Sequence, residues 1–95
     1  MQISWTDMRI RTIRYSSHFV RSLKRIGSEY RSLVEEHQKI FQANCFDPKL
    51  KMHKLHGRLE GYWSFSLTHA HRVLFVFSGR DRVDFIDVGD HSIYE

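Results

Sequence analysis

GYWSFSLTHAHRVLFVFSGRDRVDFIDVGDH, residues Gly61 to His91, decides the fold. Trp63, Phe65 and Leu67 alternate with Tyr62, Ser64, Ser66 and Thr68, so Gly61 to Thr68 reads as a half-buried strand with one polar face. His71 to Phe77 is a short apolar run rich in β-branched and aromatic residues, as in a strand covered on both sides. Ser78-Gly79-Arg80-Asp81 is turn chemistry, which joins this strand to Arg82–His91 as a hairpin. The three strands form a rigid meander with Arg72, His91 and Tyr94 at its margins, where a scaffold holds a site open to solvent.

Immediately upstream, KLKMHKLHGR (Lys49 to Arg58) carries Lys49, Lys51, Lys54, Arg58, His53 and His56 within ten residues. Leu50, Met52 and Leu55 space these cations, so the stretch reads as a loop tethered to the core. Before it, Tyr30, Leu33, Val34, His37, Ile40 and Phe41 mark one face of a helix capped by Ser28, ending near Asn44 ahead of Asp47-Pro48. His37 sits on or beside that stripe as a core or boundary histidine. An earlier helix carries Phe19, Val20, Leu23 and Ile26. Ser16 or Ser17 caps it and Gly27 ends it. Arg9 to Tyr15 alternates cationic with apolar residues, as a strand with one wet face does, and its arginines protect an exposed edge. Residues 1–8 show no period and read as an N-terminal extension, leaving 9–95 as a single domain.

The predicted order is β-α-α-β-β-β. This is an α+β fold with a mostly antiparallel sheet and a two-helix hairpin packed on one of its faces. Ninety-five residues lie near the small end of chains that build a core without staples, and two Trp, four Tyr and seven Phe supply bulk for it. The single cysteine, Cys45, cannot cross-link the fold and reads as an apolar filler at a helix end; the setting expected is reducing and cytoplasmic. No apolar run is long enough to span a bilayer, so no membrane is expected as a partner.

Net charge is +4 and unevenly spread. Residues 1–58 hold 12 Lys and Arg against 5 Asp and Glu, and residues 59–95 hold 3 against 6. Basic charge gathered in one half points to a polyanion or an acidic protein partner. Seven histidines with one cysteine do not match the ligand spacing of a metal site, and neither metal nor cofactor is expected. No Gly-x-Ser-x-Gly elbow is present. Acid–base chemistry on a phosphodiester remains: histidine shuttles protons near neutral pH, and arginine clamps phosphate oxygens.

LHGRLEGYWSFSLTHAHRVLFVF (residues 55–77) and VDFIDVGDHSIY (residues 83–94) resemble the RelE/ParE toxin superfamily of bacterial toxin–antitoxin systems, in particular its RelE/StbE and YafQ-like mRNA interferases. The resemblance rests on Leu55-x-Gly57, Gly61-Tyr62-Trp63, Arg72-Val73-Leu74-Phe75, and Val88-Gly89-Asp90-His91 followed by Tyr94. It implies an endoribonuclease toxin that cuts mRNA on the ribosome. It also implies a cognate acidic antitoxin, encoded adjacently, which alone contacts operator DNA. By the same resemblance Arg72 clamps the scissile phosphate, His91 is the leading acid or base, Tyr94 stacks on a base or orients the 2′-hydroxyl, and His53 belongs to the site. His69 or His71 supplies a further imidazole, and Lys51, Lys54, Arg58 and His56 hold RNA. Where the RelE branch has lysines on the polar face of the strand, this chain has Ser64 and Ser66. Two alternatives follow: a ParE-like toxin that inhibits gyrase, and a catalytically inactive antitoxin-binding module.

Overall fold

The computed structural model describes residues 8–94. Strand β1 (Thr12–Tyr15) leads into helices α1 (Ser17–Ile26) and α2 (Ser28–Ala43). Strands β2 (His53–Lys54), β3 (Trp63–Ser66), β4 (Arg72–Gly79) and β5 (Arg82–Gly89) follow, with short 3-10 turns at Pro48–Leu50, Gly57–Leu59 and His91–Tyr94. Among the described residues the strands form one sheet in the order β1-β5-β4-β3-β2. The α+β architecture and the meander stand as the sequence predicts. The additional element is β2, which the sequence reading left as loop. It pairs His53 with Ser64 and Lys54 with Trp63, and two residues are too few to show a period.

Edge strand β1 runs parallel to β5, matching Ile13 with Val83 and Tyr15 with Phe85. Arg9 to Arg11 lie outside it. The N-terminal extension assigned to residues 1–8 falls outside the described residues except for Met8. That residue is tied to the body through Cys45 N–H donating to its carbonyl at 2.9 Å. Ser16 is the N-cap of α1: its hydroxyl accepts from Phe19 N–H and donates to the Ile86 carbonyl, pinning the helix start to β5. Ser28 does not cap α2. Gly27, at φ +103°, both ends α1 and precedes α2, so one residue makes the whole junction and leaves no position for a separate cap.

Both helices pack on one face of the sheet. Phe41 of α2 lies at the centre, with ring centroids 5.2, 5.0 and 5.6 Å from Phe65, Phe75 and Phe85. Phe19 of α1 meets Phe85 at 5.5 Å, while Val20, beside the apolar stripe, stays 39% exposed. Leu50 is fully buried and Met52 packs against the core, which anchors the cationic loop. Cys45 is buried as the sequence predicts, and that burial pushes its thiol up to about 11. No helix among the described residues is long and apolar enough to cross a membrane.

The opposite face of β3 is not wet. Cross-strand partners share a face, so Ser64 and Ser66 lie with His53, Leu74 and Arg72 on the helix-free side. Ser64 is 0% and Ser66 9% exposed, against the solvated polar face expected.

Two stability outcomes follow. Phe41→Ala opens a cavity bounded by three rings and is expected to cost about 3–5 kcal/mol, read from denaturant midpoints. Hydrogen bonds from Arg14 hold the Asp84 carboxyl below the usual carboxylate range. A depressed folded-state value stabilises above the unfolded pKa of about 3.9 and is lost as pH falls through the folded value. The stability gap between the wild type and Asp84→Asn should therefore shrink on acidification below about pH 4, and a gap that widens would contradict the pairing.

Candidate nucleic-acid cleft and catalytic site

Arg72 opens β4, in register with Ser66 of β3 on one side and Gly89 of β5 on the other. Its Nη1 donates to the Ser66 hydroxyl at 3.0 Å. Its Nε is buried and has no hydrogen-bond partner. The nearby acids are taken elsewhere: Arg14 holds Asp84 through two bonds of 2.8 and 3.0 Å, and His18 holds Asp87 at 3.1 Å. Arg72 thus makes no ion pair among the described residues. A buried donor left unmade costs about 1–3 kcal/mol, so Arg72 holds this position at a cost.

The guanidinium borders a cleft of about 250 Å³ lined also by His37, Lys49, Lys51, Ser66, Thr68 and His69. No carboxylate lines it. This composition suits a phosphate. Lys51 reaches the cleft from a backbone at φ +49°, the left-handed region, as the residue closing the Pro48–Leu50 turn. A lysine there is strained, and such strain concentrates at functional positions.

The geometry separates the two histidines that the sequence left undecided. His69 is exposed and lines the Arg72 cleft. His71 turns to the helices instead: its ring stacks 4.2 Å from Tyr30 of α2, and its Nδ1 lies 3.3 Å from the Thr68 hydroxyl. His71 lines a second cleft, against α1 and the end of β5.

His91 and Tyr94 sit on the C-terminal turn, which crosses onto the helix-free face. The Tyr94 hydroxyl donates to Ser64 at 2.9 Å, and its ring lies 6.0 Å from the exposed His91 imidazole. With its hydroxyl engaged, Tyr94 presents its ring rather than an acid. The turn is held by Asp90, whose carboxylate accepts from Ser92 N–H at 2.9 Å and is kept below the usual range by the bonds from Ser92. It is also held by Ile93, which packs over Gly89; a Cβ at position 89 would lie 2.9 Å from an Ile93 methyl group. His91 is not among the residues that line the Arg72 cleft; its ring neighbour is Tyr94.

The other RNA-binding candidates spread along the sheet edge. His53 is exposed beside Ser64, and the Lys54 ammonium lies 5.9 Å over the Trp63 ring, on the opposite face. His56 and Arg58 are exposed on the following turn, outside the cleft. His37 and Lys49 line it although the sequence reading gave neither a site role as an individual residue. The signal for Lys49 lay in the cationic run; His37 gave none, because its position on the helix stripe matched a core residue.

No family model and no curated protein matches the chain. Solved structures do. A YoeB/ParE toxin from Agrobacterium tumefaciens is similar at 20% identity, TM-score 0.73, over 85% of this chain and 99% of that one. The YoeB dimer from Staphylococcus aureus is similar at 21% identity, TM-score 0.69, over 87% and 98%. The E. coli DinJ–YafQ complex contains a chain similar at 16% identity, TM-score 0.68, over 85% and 93%. The chain shares the fold of these toxins across almost their whole length.

Lys51→Gly separates charge from stability. Relief of the left-handed strain, offset by glycine's greater freedom when unfolded, should leave the variant between unchanged and about 1 kcal/mol more stable. Its affinity for a short polyanion should fall, with a salt slope shallower by about one charge, measured by titration at several salt concentrations.

Proposed function

We propose that this chain is the toxin of a type II toxin–antitoxin pair, an endoribonuclease that cuts mRNA on the ribosome by acid–base chemistry needing no metal. One observation carries the reading: a half-buried arginine without an acidic partner faces a cleft lined by lysine and histidine and free of carboxylate. Arg72 holds the scissile phosphate and stabilises the charge that develops on its oxygens. A base takes the proton of the 2′-hydroxyl and the 2′-oxygen attacks phosphorus. The bond to the 5′-oxygen breaks as an acid protonates it, leaving a 2′,3′-cyclic phosphate and a 5′-hydroxyl.

His91, exposed on the C-terminal turn, serves as acid or base, with His53 and His69 as further imidazoles around the site. The Tyr94 ring stacks on a base. Lys51 and Lys54, with His56 and Arg58 along the edge, guide the RNA backbone. The antitoxin is an acidic chain that covers the cationic surface, as a helix in a groove or as an added strand. The DinJ–YafQ complex, whose toxin chain has this fold, supports such a partner.

A non-catalytic antitoxin-binding module is the second reading. It draws on Ser64, which is sealed beneath Tyr94 at a position where the resemblance calls for a lysine.

With translating ribosomes, the wild type should produce RNA fragments with 5′-hydroxyl ends. Arg72→Ala should lower the cleavage rate by roughly 100- to 1,000-fold. His91→Ala should abolish cleavage while keeping the wild-type circular dichroism and melting curve, since its ring is exposed. A wild type that binds its antitoxin yet leaves mRNA intact would favour the non-catalytic reading.

A further inference from the structure

His37 enters the cleft from α2. Its Nδ1 lies 2.8 Å from the Leu33 carbonyl oxygen, one helical turn back. A carbonyl oxygen only accepts, so Nδ1 carries the hydrogen and donates. A neutral imidazole has one N–H, which leaves Nε2 with a lone pair and the role of acceptor. Nothing among the described residues bonds to Nε2. The helix backbone thus fixes the tautomer of a ring that borders the cleft.

The cations that share the cleft have the opposite character. Lys49, Lys51 and Arg72 are donors only. A phosphate, which offers acceptor oxygens, satisfies these three and has no use for Nε2. The ligand that satisfies all four carries a hydroxyl donor next to its phosphate. A ribonucleoside 3′-phosphate does so through its 2′-hydroxyl, and a deoxyribonucleoside 3′-phosphate does not.

We propose that His37 Nε2 accepts the ribose 2′-hydroxyl of the nucleotide whose phosphate sits on Arg72 and the two lysines. His37 is then the residue by which the site tells RNA from DNA. This rests on the reading of the cleft as an RNA site and adds to it a specificity contact that neither the motifs nor the helix pattern indicates.

Adenosine 3′-monophosphate and 2′-deoxyadenosine 3′-monophosphate test it, since neither has a bond to cleave. Both are titrated into the wild type and His37→Phe at about pH 8, where imidazole is held neutral. Affinity and histidine ring signals are followed by NMR. The wild type should bind the ribonucleotide roughly two- to tenfold tighter, the range of one hydrogen bond. The His37 ring signals should move with the ribonucleotide far more than with the deoxynucleotide. His37→Phe, which keeps a ring of similar shape, should bind both at the deoxynucleotide level.

The proposal is overturned if His37→Phe keeps the ribose preference, if the wild type has none, or if the His37 signals do not respond. The wild-type ring signals decide the question even if the variant does not fold. Failure here, beside intact production of 5′-hydroxyl ends, would sink only the His37 assignment. Ribose discrimination without such ends would sink only the nuclease reading.

Discussion

A single cross-strand row, Ser66, Arg72 and Gly89 on β3, β4 and β5, fixes what the rest of the molecule can do. Backbone pairing sets these three residues side by side, and each has a different task. Ser66 offers a neutral hydroxyl that orients the guanidinium without cancelling its charge. Gly89 leaves the space into which Ile93 settles, and so lets the C-terminal turn lie close against the sheet. A one-residue slip of register would turn Arg72 towards the aromatic layer beneath the helices. That layer, with Phe41 against Phe65, Phe75 and Phe85, makes such a slip prohibitive, because every core ring would have to leave with it.

The charge distribution follows from the same topology. The acids of β5 lie nearest to β1 and α1, where Arg14 and His18 engage them. Two sheet positions away, the end of β3 and the loop carrying Lys49 and Lys51 line a cleft that has no carboxylate among its lining residues. The excess of cations in the first part of the chain and of anions in the last is therefore resolved in space: pairing removes the anions from one flank and leaves the other positive. Exposed pairs such as Arg14–Asp84 contribute little to stability on their own. They engage Asp84 and Asp87 on the β1 and α1 side.

Much of this was legible in the sequence. Alternation in Gly61–Thr68 and the apolar run from His71 mark the meander, and Gly27 with either Ser16 or Ser17 marks the limits of the first helix, since each signal is local in the chain; the bond from Phe19 N–H is what selects Ser16. What escaped was non-local. The two-residue β2 exists only because β3 offers a partner, and Ser28 loses its cap because both helices share Gly27 as their junction. His69 and His71 are alike in composition, and only the presence of Tyr30 on α2 draws one of them away from the cleft. His37 was read as a core residue because helical periodicity reports which face of a helix is buried, not where that face ends. This one ends at a cleft.

Ser64 shows how one small residue shapes a face of the sheet. A lysine at that position would have its ammonium beneath the Tyr94 ring, in a place with no solvent and no acid to receive it. A serine fits, and its hydroxyl accepts a hydrogen bond from the Tyr94 hydroxyl. The pair covers β3 at Ser64 and fixes the tyrosine by its polar end. Positive charge comes from elsewhere: the loop before the sheet brings Lys49 and Lys51 to the cleft that Arg72 lines. β3 forms a floor without cations beside Arg72, and the loop forms the cationic wall.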